Sequence, residues 1–295
     1  MKTPTTETEA VNKKTQNFDK LPLSKMADLM CAENLAAVRA VKKAKKEIVS
    51  AVQLVIQTYF SGGKIIFIGA GTSGRLGILE AAECPPTFNT PKNLFSALIA
   101  GGNKAVFNSI EGAEDNAKQG AKDFLKTASK KDLLIALASS GRTPYVLGAL
   151  SAAKKQGNKT VFITSNKIAK KAGADITIYL STGAEVISGS TRLKAGTAQK
   201  IVLNMISTMA MARCGKIYKN YMVDLQAKNE KLKNRAIRLI TLSANIPLEN
   251  AKKYAQKTNF NIKEAVLMAK LKLNRKEAQN LLKKHKGFLR SALNE

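Results

Sequence analysis

Five short apolar runs, each closed by glycine, serine or asparagine, set the architecture this chain can adopt. They lie at 64–68, 94–100, 132–138, 159–164 and 175–180. Residues 132–138 read Asp-Leu-Leu-Ile-Ala-Leu-Ala and 159–164 read Lys-Thr-Val-Phe-Ile-Thr. Apolar residues follow one another in these runs instead of alternating with polar ones. Such strands are buried on both faces, which happens when helices cover a parallel sheet. Helical patterns fill the intervals at about 74–84, 104–127 and 143–156. The expectation is an α/β fold with a parallel five-stranded sheet flanked by helices. Gly69–Gly74, Gly101–Gly102, Ser139–Thr143 and Ser165–Asn166 all follow strands. They therefore gather at the carboxyl ends of the sheet, where folds of this class bind ligands.

The first of these loops satisfies Gly-x-Gly-x-x-Gly at Gly69, Gly71 and Gly74. A dinucleotide site also needs an acidic residue about 20 positions on, to hold the ribose. Here the second strand, Leu94 to Ala100, runs into Gly101-Gly102 with no carboxylate. The loop carries Thr72 and Ser73 instead, and Ala138-Ser-Ser-Gly-Arg-Thr143 repeats the chemistry two strands later. Glycines let backbone N–H groups approach an anion, hydroxyls donate further bonds, and a following helix N-terminus adds partial positive charge. A single such loop is equally a tight turn with no ligand. Two in one sheet point to a phosphate on a sugar, held by Gly71, Thr72, Ser73, Gly74, Ser139, Ser140 and Thr143.

Composition narrows the chemistry further. A 295-residue chain that is 44% hydrophobic can bury a full core. No stretch reaches about 18 apolar residues, so no membrane span is expected. Residues 1–7 have no apolar signal core. Cys31, Cys84 and Cys214 have no metal or redox spacing and suit a reducing cytoplasm. The one histidine, His285, sits in a lysine-rich tail, which argues against a histidine metal site or a Ser-His triad and marks His285 as a surface residue. The net charge of +28 raises nucleic acid as a partner. The excess is dispersed, no RNA-type aromatic motif accompanies it, and a lysine-rich surface that steers anionic substrates is the preferred reading.

Residues 1–60 read as a polar arm, 1–20, followed by one long helix from about Ser24 to Tyr59. The sheet domain occupies 61–222, with a helix from about Leu193 to Cys214 stopped by Gly215. A helical region fills 223–295, starting with a helix from about Val223 into Leu242. After Pro247, three short helices are expected at about 247–257, 262–270 and 275–285. Asn261 with Glu264, and Asn274 with Glu277, have capping-box spacing.

Few carboxylates fall near the ligand edge. Glu80 and Glu83 lie on the helix after the first loop, which Pro85 and Pro86 are expected to end. Glu111, Glu114 and Asp115 follow the second strand. One cluster can supply a general base and the other a general acid, a pairing suited to proton abstraction beside a carbonyl and loss of a poor leaving group. Either can equally be a carboxylate that complements a helix terminus.

At these residues the chain resembles the N-acetylmuramic acid 6-phosphate etherases. The likeness runs through Gly69-Ala-Gly-Thr-Ser-Gly-Arg-Leu-Gly77, Glu83-Cys-Pro-Pro-Thr-Phe88, Glu111-Gly-Ala-Glu-Asp-Asn116 and Ser139-Ser-Gly-Arg-Thr-Pro144. It continues through Gly189-Ser-Thr-Arg-Leu-Lys-Ala-Gly-Thr-Ala-Gln-Lys200, Leu203-Asn-Met-Ile-Ser-Thr208 and Asn220-Tyr-Met-Val223. It takes in Thr8-Glu9 and Asn12 at one end and a helical module at the other. Val11 stands where a basic residue is expected, and Leu21-Pro-Leu replaces a more usual Leu-Ser-Thr.

The resemblance implies a doubly wound sugar isomerase (SIS) sheet with a small ubiquitin-associated-like three-helix module, in a cytoplasmic homodimer. It implies cleavage of the D-lactyl ether of N-acetylmuramate 6-phosphate by elimination and hydration, in cell-wall sugar recycling, with no metal or redox cofactor. It also implies that Glu83 is the acid and Glu114 the base. Rival readings are a phosphosugar isomerase, a non-catalytic phosphosugar-sensing SIS protein and a basic nucleic-acid binder. Isomerisation releases no lactate. A DNA-binding sensor would normally place a helix-turn-helix before the sheet, where this chain has an arm and a helix.

Overall fold

The computed structural model describes residues 6–167 and 173–295, so the start of the polar arm, residues 1–5, lies outside the described residues. The chain divides into two compact units, Met1–Ala82 with Lys92–Ser207, and Glu83–Pro91 with Thr208–Glu295.

The first unit holds the sheet. Its strands are β1 (Ile65–Gly69), β2 (Phe95–Ile99), β3 (Leu133–Leu137), β4 (Lys159–Thr164) and β5 (Ile176–Tyr179). All pair in parallel, in the order β2-β1-β3-β4-β5. Ile65 to Ile68 and Leu133 to Leu137 are fully buried, as continuous apolar runs require. On one face, Ile66, Ile68, Leu134, Ala136 and Phe162 form a core with Tyr145, Val146, Ala149 and Ala153 of α6 (Pro144–Gln156). On the other, α3 (Gly71–Phe88) approaches so closely that a Cβ on Gly77 would meet Phe67 Cβ at 2.9 Å. Helices therefore cover both faces. The chain leaves β1 for β2 on one side and reaches β3 on the other, so the strand order reverses between β1 and β3.

Several helices differ from the sequence expectation. The long N-terminal helix is two, α1 (Leu23–Lys43) and α2 (Lys45–Phe60), with Ala44 closing the first by bonding back to Ala40 and Val41. The polar stretch before α1 forms three 3-10 turns from Glu7 to Lys20. Pro85 and Pro86 do not end α3, which continues to Phe88. Two prolines cost the helix two backbone bonds, and burial of Cys84 and Phe88 on this last turn overrides that loss. The helix expected over 104–127 is broken into α4 (Lys104–Phe107), a 3-10 turn at Ala113–Asp115 and α5 (Ala117–Thr127). Gly112, at φ 71°, turns the chain left-handed, and the Asn116 side chain caps α5 by accepting from Gln119 N–H.

The second unit is helical. It includes the end of α7 (Lys194–Arg213), then α8 (Glu230–Ala244), α9 (Leu248–Lys257), α10 (Ile262–Leu271), α11 (Arg275–Lys284) and α12 (Leu289–Ala292). The helix expected from Val223 starts at Glu230, because Asn229 caps it by accepting from Leu232 N–H. Asn274 and Glu277 make the full capping box. Asn261 caps α10, but the Glu264 carboxylate turns to Arg275 Nε at 2.9 Å. His285 lies at the surface, partly covered, with Nδ1 2.7 Å from Ser291 Oγ.

Candidate functional site

The loops after β1 and β3 face the strand-order reversal from adjacent strands. Each leads into a helix whose first N–H groups have no acceptor within the helix. The three loop glycines serve two ends. A side chain at Gly69 would meet Gly74 N at 2.6 Å, and one at Gly74 would meet Gly69 O at 2.8 Å. Strand end and helix start thus touch backbone to backbone. Gly71 takes φ 52° and has nothing within 4 Å of a Cβ position, so it turns the chain beside open space.

The structure joins the two loops through a residue the sequence reading left without a role. Ser73 Oγ donates to Gln199 Oε1 at 2.8 Å, and Gln199 Nε2 donates to Ser139 Oγ at 3.2 Å. Gln199 is 0% exposed, and Ser73 and Ser139 are 7% each. Gln199 lies within the long Gly189–Lys200 motif, which is the only sequence signal that marks it. In the second loop, Arg142 N–H donates to Ser140 Oγ at 3.2 Å, and Ser140 Oγ lies 3.4 Å from Thr143 Oγ1. Thr143 precedes Pro144 at the head of α6. Thr72 is half-buried, and its Cγ2 would sit 3.3 Å from a Cβ on Gly196 near the start of α7.

A cavity of about 310 Å³ opens beside the first loop, lined by Gly71, Arg75, Asn108, Glu111 and Glu114 among others. Arg75 builds its wall. The Arg75 guanidinium donates to Val106 O at 2.8 Å and Asn108 O at 2.9 Å, which ties the segment after β2 to α3. Glu114 is exposed on the 3-10 turn. The structure thus brings Glu114 and Gly71 to one cavity, and Ser73 and Ser139 to one bridge. Glu83 is exposed on α3, in the second compact unit. A larger cavity of about 610 Å³ lies between the α1–α2 junction and β4–β5, lined by Lys43, Glu47, Asn166 and Tyr179 among others. None of the seven expected phosphate-loop residues lines it.

Glu80, which the sequence groups with Glu83 on one helix, is engaged in buried contacts. It is 4% exposed and accepts from Lys200 Nζ at 2.8 Å and from the Ser207 hydroxyl. Its role is to hold α3 to α7 within the first unit.

A second buried network anchors α7. Glu185 accepts from the N–H groups of Lys194 and Ala195 at 3.0 and 2.9 Å, and Lys194 Nζ donates to Glu33 at 2.6 Å. Burial pushes the Glu185 carboxyl up, outweighing the backbone donors and Lys194. Burial also raises Glu33, but Lys194, Asn12 and Lys14 outweigh it and hold Glu33 below its usual value. The N-terminal arm is tied to the same unit. Thr8 Oγ1 accepts from Asn166 Nδ2 at 3.0 Å, Gly189 N–H donates to Thr8 O at 3.3 Å, and Asn12 Nδ2 donates to Glu33 at 2.9 Å.

Among the described residues, no group of three or more histidine, cysteine, aspartate or glutamate side chains is arranged to hold a metal ion. None of the described helices is long and apolar enough to cross a membrane.

Known proteins are similar to this chain. Residues 47–154 match the glucokinase regulatory protein N-terminal SIS domain family, and residues 106–209 match the SIS domain family. A phosphoheptose isomerase structure from Neisseria gonorrhoeae covers 65% of this chain and all of its own, with 17% identity and a TM-score of 0.49. N-acetylmuramic acid 6-phosphate etherase of Geobacillus sp. strain WCH70 is 46% identical over 288 residues, 97% of this chain and 98% of its own. The etherase of Clostridioides difficile strain 630 is 42% identical over 290 residues, 97% of this chain and 95% of its own. At this identity over nearly the whole length, the chain belongs to the N-acetylmuramic acid 6-phosphate etherases.

Proposed function

We propose that this enzyme cleaves the D-lactyl ether of N-acetylmuramic acid 6-phosphate with water, giving N-acetylglucosamine 6-phosphate and D-lactate. The open-chain aldehyde acidifies the proton on carbon 2. Glu114 removes that proton as general base. Glu83 protonates the ether oxygen on carbon 3 as lactate leaves. Water then adds to the unsaturated aldehyde. The sugar phosphate is held by the backbone amides at Gly71 to Gly74 and by hydroxyls of the two loops, with the α3 and α6 N-termini favouring its charge.

The observation that carries this reading is the cavity shared by Gly71 and Glu114. A phosphate at the glycine loop sets its sugar beside a carboxylate. Glu114 is exposed there, free to take a proton, while Glu80 is committed to Lys200 and Ser207. The same reading places the reaction in the cytoplasm, where sugars are phosphorylated. It also takes the working enzyme to be a homodimer.

Purified protein, given N-acetylmuramate 6-phosphate and no added metal, is expected to release D-lactate stoichiometrically with N-acetylglucosamine 6-phosphate. A ketose phosphate without lactate would make it an isomerase, and no turnover with tight binding would make it a sensor.

A further inference from the structure

Gln199 treats two chemically identical serines in opposite ways. Its Oε1 accepts the Ser73 proton, while its Nε2 donates to the Ser139 oxygen. Only a carboxamide carries one acceptor and one pair of donors on the same planar end, so no other uncharged side chain of this length divides a pair of hydroxyls in this way. A hydroxyl has a single proton. Ser73 has spent its proton inward and can offer an incoming ligand only a lone pair. Ser139 has filled a lone pair and keeps its proton. Ser140 Oγ likewise accepts from Arg142 N–H, and its own proton has Thr143 Oγ1 at 3.4 Å or an incoming ligand to meet. The backbone of Ser139 is fixed as well, its carbonyl accepting from Ser165 N–H at 3.0 Å and from Asn166 Nδ2 at 2.8 Å.

An anion needs donors, and lone pairs repel it. We infer that Gln199 is a positioning residue that sorts the loop hydroxyls, turning Ser73 into a clip between the first loop and α7 and leaving Ser139 and Ser140 to donate to the phosphate. The inference rests on the phosphosugar reading above and deepens it. It assigns phosphate affinity chiefly to the second loop's side chains, with the first loop contributing its backbone amides.

The test uses D-lactate release from the full chain, with inorganic phosphate as competing anion. Ser139→Ala removes a hydrogen bond to a charged group, so the inhibition constant for phosphate should rise about tenfold or more. The Michaelis constant should move by a comparable factor, several times more than kcat. Ser73→Ala should weaken phosphate by less than about a third of that factor. Both variants leave a buried amide atom of Gln199 without its partner, so both should lower the thermal midpoint. A purely structural role would link the phosphate effect to that midpoint, and the two serines would then behave alike.

Gln199→Glu supplies two acceptors, draws the Ser139 proton inward and adds a negative charge. It should weaken phosphate at least as much as Ser139→Ala. In that background, Ser139→Ala should cost little more. Equal effects of the two serine variants, a larger effect at Ser73, or full additivity of Ser139→Ala with Gln199→Glu would overturn the sorting. Should Gln199→Glu fail to fold, the serine pair decides alone. If neither serine variant alters phosphate inhibition while lactate is still released, the sorting falls with the loop assignment, but the etherase reading stands.

Discussion

The edge of the sheet and the C-terminal helical module use polar residues for opposite purposes. In the module, polar groups consume one another. Lys263 Nζ donates to Asp224 at 2.7 Å and to Gly287 O at 2.9 Å. Glu295 accepts from Lys270 at 2.6 Å and from the Tyr218 hydroxyl at 2.5 Å. Asn274 and Glu277 satisfy each other's backbone. Such bonds specify helix ends and docking. At the sheet edge, buried neutral groups hold the frame while selected protons and carboxylates are left unspent. Ser139 is fixed from behind, and Glu114 stands open beside Gly71. The difference teaches that the groups proposed here for function are those whose capacity the fold leaves unused.

Glu114→Gln breaks the comparison most sharply if it is wrong. Its carboxylate is open, so the variant should keep its thermal midpoint and lose about 10²–10⁴-fold in lactate release. The same substitution at Glu80 should do the reverse. It weakens a buried pair with Lys200, and the thermal unfolding curve should register a loss of about 1–3 kcal/mol. Asn274→Ala, in the module, should cost about 1 kcal/mol in denaturant titration. Its turnover per folded molecule should stay at the parent value.

The smallest effect is on the acid limb of stability. Glu33 sits below its ordinary value of 4.5 in the fold, because Lys194, Asn12 and Lys14 outweigh burial. Its contribution is therefore full above the unfolded value and is lost as pH falls through the lower folded one. Glu185 has the opposite sign, since burial raises it, and its contribution is lost as pH rises through its folded value. Glu33→Gln should flatten the acid limb in a series of unfolding curves between about pH 3 and 6.

The sheet was legible in the sequence because parallel strands buried on both faces must be continuously apolar, as Ile65 to Ile68 are. The glycine spacing was legible because backbone contact between Gly69 and Gly74 admits no side chain. The roles of Gln199 and Glu80 were not. Gln199 meets Ser73 across 126 residues and Glu80 meets Ser207 across 127. No local period encodes such partners. The prolines in α3 misled for a related reason, because local propensity predicts a stop that tertiary burial overrides. Family likeness supplied the division of labour between Glu83 and Glu114, which spacing alone left open.

That division is the central claim, and deuterium tests it directly. In heavy water, N-acetylglucosamine 6-phosphate from the parent enzyme should carry deuterium at carbon 2, because elimination removes that proton and hydration restores one from solvent. Glu114→Gln should lose lactate release and carbon-2 exchange together. Glu83→Gln should lose lactate release yet retain exchange. Lactate released without deuterium at carbon 2, or full activity in Glu114→Gln, would contradict the account.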